Sequence, residues 1–116
     1  MGKSDMNDYF RKMAEDGRLI KIWKDGKSHT FLTFSICDDY RPYAYKALWQ
    51  VLSHNPSGRI CFIEKIVSRG WSKQLRKEIQ DAIISRFPSI EEAVWFRPTN
   101  TQEERKVTWR RHASHV

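Results

Sequence analysis

Cysteine is scarce in this chain, and what little there is forms no pattern. Of 116 residues two are cysteine, Cys37 and Cys61, each inside an apolar run (FSICDD and RICFIEK). Two thiols make no disulfide framework, and thiols in apolar runs read as buried and free. Neither stands in CxxC or CxxH spacing, and His29, His54, His112 and His115 have no ligand spacing with cysteine or carboxylates, so no metal is expected. The same positions offer no Ser-His-Asp or Cys-His arrangement. Long apolar stretches are missing too. None approaches the roughly 20 residues a membrane helix needs, and MGKSDMNDYF lacks the apolar core of a secretory signal. There is no internal repeat and no low-complexity tract. These absences argue against a disulfide-stapled scaffold, a zinc module and a helical membrane protein, and a soluble cytoplasmic protein is expected.

Aromatic residues, by contrast, are plentiful. Five Trp, six Phe and four Tyr, within a chain that is 40% hydrophobic, argue against disorder and suffice for one core. The length fits a single domain over residues 1–116, with a tail after about residue 111 expected to be flexible. The net charge of +7 and pI near 9.6 point to an acidic or phosphate-bearing partner, nucleic acid among them.

Hydrophobic spacing divides the chain into elements. Met6, Tyr9, Phe10 and Met13 recur at helical spacing from Ser4 to Glu15, and Gly17 suits a left-handed stop. Asp25-Gly26 lies between two strand-like runs, RLIKIWK and KSHTFLTFSIC, and predicts a hairpin with a primed turn. After the caps Asp38 and Asp39, the spacing of Ala44, Leu48, Val51 and Leu52 predicts a helix closed by Asn55 to Gly58, although Tyr43 to Tyr45 could also begin a strand. ICFIEKIV, residues 60–67, is apolar on both parities, the pattern of a central strand covered on two faces, with Glu64 and Lys65 embedded one per face. Ser72 to Phe87 is the clearest helix, stopped by Pro88. Ala93 to Arg97 and KVTWRR read as two further strands, the last at an edge. The fold class expected is α/β of the α+β kind: a mixed, mostly antiparallel central sheet with helices packed on it.

From the hairpin to the last strand, this order resembles the core of the GNAT superfamily of acyltransferases. Within it, ICFIEKIVSRG, RFP and AVWFRP are most similar to the toxin-activating lysine acyltransferases. The resemblance covers about half to two-thirds of the chain. It implies an N-acyltransferase that moves an acyl group from an acyl-CoA or acyl carrier protein thioester to an amine. Glu64 would stand at the family's catalytic carboxylate. Arg69 and Gly70 would lie in the turn that meets the donor's pyrophosphate.

The residues themselves support two readings at each place. Glu64, a carboxylate in an apolar strand, suits a general base, and it also suits an exposed part of the sheet or an ion pair with Lys46 or Arg97. His29, beside the hairpin, is the histidine kept as a second acid/base group. Arg69, Gly70, Ser72 and Lys73 open a helix with free N–H groups and positive charge, a phosphate cradle or an ordinary strand-to-helix turn. Trp71 is the tryptophan expected to line a pocket; Trp23, Trp49 and Trp95 fall on predicted elements, where aromatics more often belong to the core. Arg97, Arg105, Lys106, Arg110 and Arg111 form the main basic cluster. It fits a nucleic-acid backbone with Trp95 or Trp109 stacking on bases, an acidic protein, or simply a charged edge that resists aggregation. A non-catalytic basic binding protein on the same fold is the alternative function.

Overall fold

A computed structural model describes residues 2–42, 49–98 and 104–110. The chain opens with helix α1 (Gly2–Glu15). It stops because Gly17 takes φ 73°, letting Gly17 and Arg18 return N–H bonds to the carbonyls of Ala14 and Met13. Strands β1 (Leu19–Lys24) and β2 (Lys27–Cys37) follow as an antiparallel hairpin. Asp25 and Gly26 both have positive φ, 53° and 76°, the primed turn that the Asp-Gly pair predicts.

The predicted helix after Asp39 is not present at either end. Tyr40–Pro42 and Trp49–Val51 are instead short antiparallel strands, β3 and β4, paired Tyr40 with Val51 and Pro42 with Trp49. Residues 43–48, the middle of that expectation, lie outside the described residues, as do Arg111 and the tail. The physical reason is burial of rings. Trp49 stacks on Phe96 at 4.2 Å, and Tyr40 meets Trp49, Phe62 and Phe96 edge-on or tilted. A pleated ribbon presents those aromatics to the sheet together, and such tertiary packing overrides helical spacing.

Strand β5 (Ile60–Ser68) pairs antiparallel with β2 and runs parallel to β6 (Glu92–Pro98). The crossover between them is α2 (Lys73–Arg86), capped by the Ser72 hydroxyl, which accepts the Leu75 N–H at 3.0 Å. β7 (Glu104–Arg110) closes the sheet antiparallel to β6. The strand order is β1-β2-β5-β6-β7, so β5 is central and β7 is an edge. The protein is thus a mixed α+β fold with a mostly antiparallel five-stranded sheet.

Each face of that sheet has its own cover. On one face Leu32, Phe34, Ile36, Cys61 and Ile63 pack against Leu75, Ile79 and Ile83 of α2. On the other, Phe10 of α1 meets Phe31 edge-on and Tyr9 bonds Thr33, while β3 and β4 cover Phe62 and Phe96. Cys37 and Cys61 are buried and free, as expected; they belong to opposite faces of adjacent strands.

Gly58 is buried where the chain returns to β5, and a Cβ there would come within 2.6 Å of the Cys37 carbonyl oxygen. The obstacle is backbone, which yields little. Gly58→Ala is expected to destabilise the fold by about 1–3 kcal/mol, read as a lower urea midpoint at unchanged slope. An unchanged midpoint would show that the loop moves away freely.

Candidate functional site

The register of β2 and β5 breaks at one place. Thr33 faces Lys65 and Phe34 faces Ile63, so Glu64 has no partner residue on β2 and forms a β-bulge. The bulge changes the face of everything after it. Glu64 and Lys65 both belong to the face opposite α2, since Lys65 is opposite Thr33 and Glu64 reaches Ser35 and Tyr9. Ile66, paired with Leu32, returns to the α2 side and packs on the core there. The expected alternation, with Glu64 and Lys65 on separate faces, is corrected by that one extra residue.

Glu64 lies where the two covers of this face leave a gap. Along β2 the inward residues are Phe31 and Thr33, under α1; then Ser35; then Cys37, against the β3–β4 hairpin. At Ser35 three elements converge. The Glu64 Oε1 accepts from the Arg18 guanidinium at 3.1 Å and from the Ser35 hydroxyl. Its Oε2 accepts from the Tyr9 hydroxyl at 3.3 Å, and Tyr9 also bonds Thr33 at 2.7 Å. Arg18 is held in turn by the Phe34 carbonyl at 3.0 Å and by Ser35. Among the described residues the ion-pair partner is Arg18, supplied where α1 turns into β1; Lys46 and the side chain of Arg97, the partners expected, lie outside what is described. The side chains of Arg18 and Glu64 are 20% and 29% exposed. Burial pushes the Tyr9 hydroxyl above its ordinary range, with Glu64 adding to the rise.

His54 belongs to the same region. β1 pairs with β2 only as far as Thr33, so the backbone of Ile36 faces a sheet edge that β1 leaves open. The loop after β4 takes its place: Ile36 N–H donates to His54 Nδ1 at 3.1 Å, and Asn55 N–H donates to the Ile36 carbonyl at 2.6 Å. Desolvation, with Arg18 beside it, lowers the pKa of this imidazole.

A second opening lies on the other side of Glu64. β5 and β6 pair only from Ile60–Phe62 to Glu92–Val94, although both strands continue to Ser68 and Pro98. Past that point they fork around a cleft of about 440 Å³, lined by Glu64 and Lys65, by Gly70 and Trp71 of the turn, and by Trp95 and Phe96. The structure thus brings Glu64, Gly70 and Trp71 to one cleft. His29 is not in its lining. It faces a smaller hollow of about 220 Å³ with Gly70, Trp71 and Ser72, its Nδ1 within 2.8 Å of the Thr30 hydroxyl. Arg69 and Lys73 are exposed beside that turn, and the Ser72 hydroxyl is committed to capping α2.

Of the basic cluster, the side chains of Lys106 and Arg110 are described. Lys106 lies over the Tyr40 ring at 5.2 Å, and Arg110 pairs with Glu92 at 3.3 Å. Arg97 and Arg105 are register partners on β6 and β7. Trp95 and Trp109 pack against the α2-side core, away from the face that carries Lys106 and Arg110. Among the described residues, no group of three or more His, Cys, Asp or Glu side chains gathers into a metal site, and no helix is long and apolar enough to cross a membrane.

Sequence reasoning did not find Tyr9, Arg18, Ser35 or His54 as site residues. One signal was present: Thr33 and Ser35 place two polar groups on one parity of the apolar run FLTFSIC. Compared with known proteins, the chain matches no family model, no curated sequence and no solved structure. Fold and site define a mixed α+β domain with a forked sheet and a bulged carboxylate at the fork.

The lowered pKa of His54 has a consequence for stability. The unfolded ring takes a proton near pH 6.5, while the folded ring, beside Arg18 and influenced by Asp16 and Glu64, takes it only at lower pH. The unfolded state then binds more protons, so stability falls as pH drops below about 6.5 and levels off beneath the folded pKa. Urea midpoints for wild type and His54→Asn, measured from about pH 7.5 to 5, are expected to show a shallower decline in the variant. Identical slopes would contradict the assignment.

Proposed function

We propose that the protein is a GNAT-like N-acyltransferase that moves an acyl group from a CoA or carrier-protein thioester to an amine. The observation that carries this reading is the fork: a parallel strand pair that opens immediately beyond its last rung, with Glu64 at the opening and the Gly70–Trp71 turn on the same lining. A thin amide-bearing arm of a thioester donor fits such a gap, where β-strand edges offer backbone N–H and C=O groups. Its phosphate end would meet the turn before α2, near Arg69 and Lys73.

The chemistry balances with the residues at hand. The amine nitrogen attacks the thioester carbonyl carbon; the C–N bond forms, the C–S bond breaks, and the thiol departs with a proton. Glu64 removes the proton that the amine must lose, directly or through a water. Holding the two reactants together supplies much of the acceleration, and backbone N–H groups at the fork would steady the oxyanion. Arg18, Ser35 and Tyr9 orient the carboxylate, and the ion pair keeps it from turning away.

A second reading rests on β7. Arg97 and Arg105 share one rung, and Lys106, Thr108 and Arg110 are exposed along the same edge. Exposed cations along an edge strand suit an anionic partner. On this reading the protein is a basic binding module without chemistry.

Thermal unfolding separates the two, with CoA, acetyl-CoA or a short DNA duplex added at low and moderate salt. A donor site predicts stabilisation by CoA species of about 2.7 kcal/mol at 100 times Kd, on the order of 10 °C. Glu64→Gln should keep that shift and lose about 10²- to 10⁴-fold in transfer rate. No response to either CoA species, alongside a DNA response that collapses with salt, would overturn the enzyme reading in favour of the binding one.

A further inference from the structure

The gap on the face opposite α2 forms a cleft of about 470 Å³ that the donor fork does not absorb. Its lining includes Arg18, Ser35, Trp49, His54, Phe62 and Glu64, and Glu64 is common to both openings. Gln50 and Ser53 also line it, and Trp49 brings a buried Nε1–H that has no hydrogen-bond partner among the described residues. His54 Nδ1 accepts the Ile36 N–H, so a neutral ring must carry its proton on Nε2 and acts as a donor only. Protonation of Nδ1 would break that bond, and desolvation together with Arg18 opposes it. Glu64 is an acceptor, and Arg18 is already engaged by Glu64, Ser35 and the Phe34 carbonyl. Trp49, Val51 and Phe62 supply an apolar wall.

A simple anion entering this cleft would meet Glu64, and a simple alkylammonium ion would make no use of the exposed His54 donor or of the buried Trp49 Nε1–H. A group that carries an amine beside a carbonyl satisfies both Glu64 and the His54 donor. We propose that this cleft binds the acyl acceptor as an α-amino amide, as found in an amino-acid amide or a peptide N-terminus, with its amine on Glu64 and its carbonyl oxygen on His54 Nε2–H. The word acceptor rests on the acyl-transfer reading; the binding itself rests on the cleft alone. The apolar wall would take the side chain of the residue that bears the amine. His54 would be a binding group that selects the acceptor and fixes the direction from which its nitrogen approaches the fork.

The test uses the full chain, labelled with ¹⁵N, titrated near neutral pH with alaninamide, propylamine and propionamide in the absence of any CoA species. Alaninamide is expected to shift the resonances of Ser35, Ile36 and His54 and to bind about five- to tenfold tighter than either half-ligand, roughly the value of one hydrogen bond. His54→Phe should abolish that preference. His54→Gln, which keeps an amide donor, should restore part of it and guards against a variant that simply misfolds. The imidazole nitrogens should report Nε2–H and a bare Nδ1. Equal affinity for the three compounds, a preference that survives His54→Phe, or a proton on Nδ1 would each overturn the proposal. Tighter binding of trialanine amide than of alaninamide assigns the ligand to a peptide terminus, and equal binding assigns it to a free amino-acid derivative. A CoA response without an alaninamide preference would fail this proposal alone. Alaninamide binding without any CoA response would fail the donor reading alone.

Discussion

β5 carries one residue more than β2 can pair, and the extra residue is a carboxylate. A β-bulge at Glu64 turns two consecutive polar side chains to one face and restores the apolar register of Ile66 against α2. Without the bulge, Ile66 would face away from the helix that it now packs against. The cost of a carboxylate at the middle of the sheet is met locally by Arg18, Ser35 and Tyr9. Those three come from the start of β1, from β2 and from α1. A single ionic group therefore ties the first helix and the first hairpin to the central strand, and it lines both the fork and the cleft on the reverse face.

The fork has a related origin. β5 twists and bends at its bulge just beyond the last rung it shares with β6, whose own outer partner β7 follows it along its full length. Pairing to β7 lets β6 leave β5 without losing its ladder. α2 completes the geometry, because its capped start places Gly70 and Trp71 at the far end of the opening. In the acyl-transfer reading a carboxylate positioned by its neighbours, a narrow slot between strands and a polar cleft on the reverse side act as one device.

Much of this was legible in the residues. Asp25-Gly26 defined the hairpin because the pair tolerates positive φ at both positions, the primed turn whose twist matches that of its strands. Ser72 and Pro88 bounded α2, and the two-sided apolar run located the central strand. What was not legible was non-local. The spacing of Ala44, Leu48, Val51 and Leu52 looks helical until Phe62 and Phe96 are known to wait for Tyr40 and Trp49. A bulge leaves no mark in a run that is apolar on both parities, so the face of Lys65 could not be read. Arg18, an ordinary residue between a glycine stop and a strand, is 46 positions from its partner Glu64, and no local pattern connects them. His54 is exposed, as its place before a turn suggests, but its bond to Ile36 could not be read, because it depends on β1 ending three residues short of Ile36.

The claim beneath the whole account is that Arg18 and Glu64 act as a coupled pair. A double-mutant cycle on unfolding free energy, with Arg18→Met, Glu64→Gln and the combination, measures that directly. Each single change should destabilise, and the double change should cost less than the sum of the two by about 1–3 kcal/mol. Additivity within about 0.5 kcal/mol would mean that the pair contributes nothing jointly and that the bulge is held by something else.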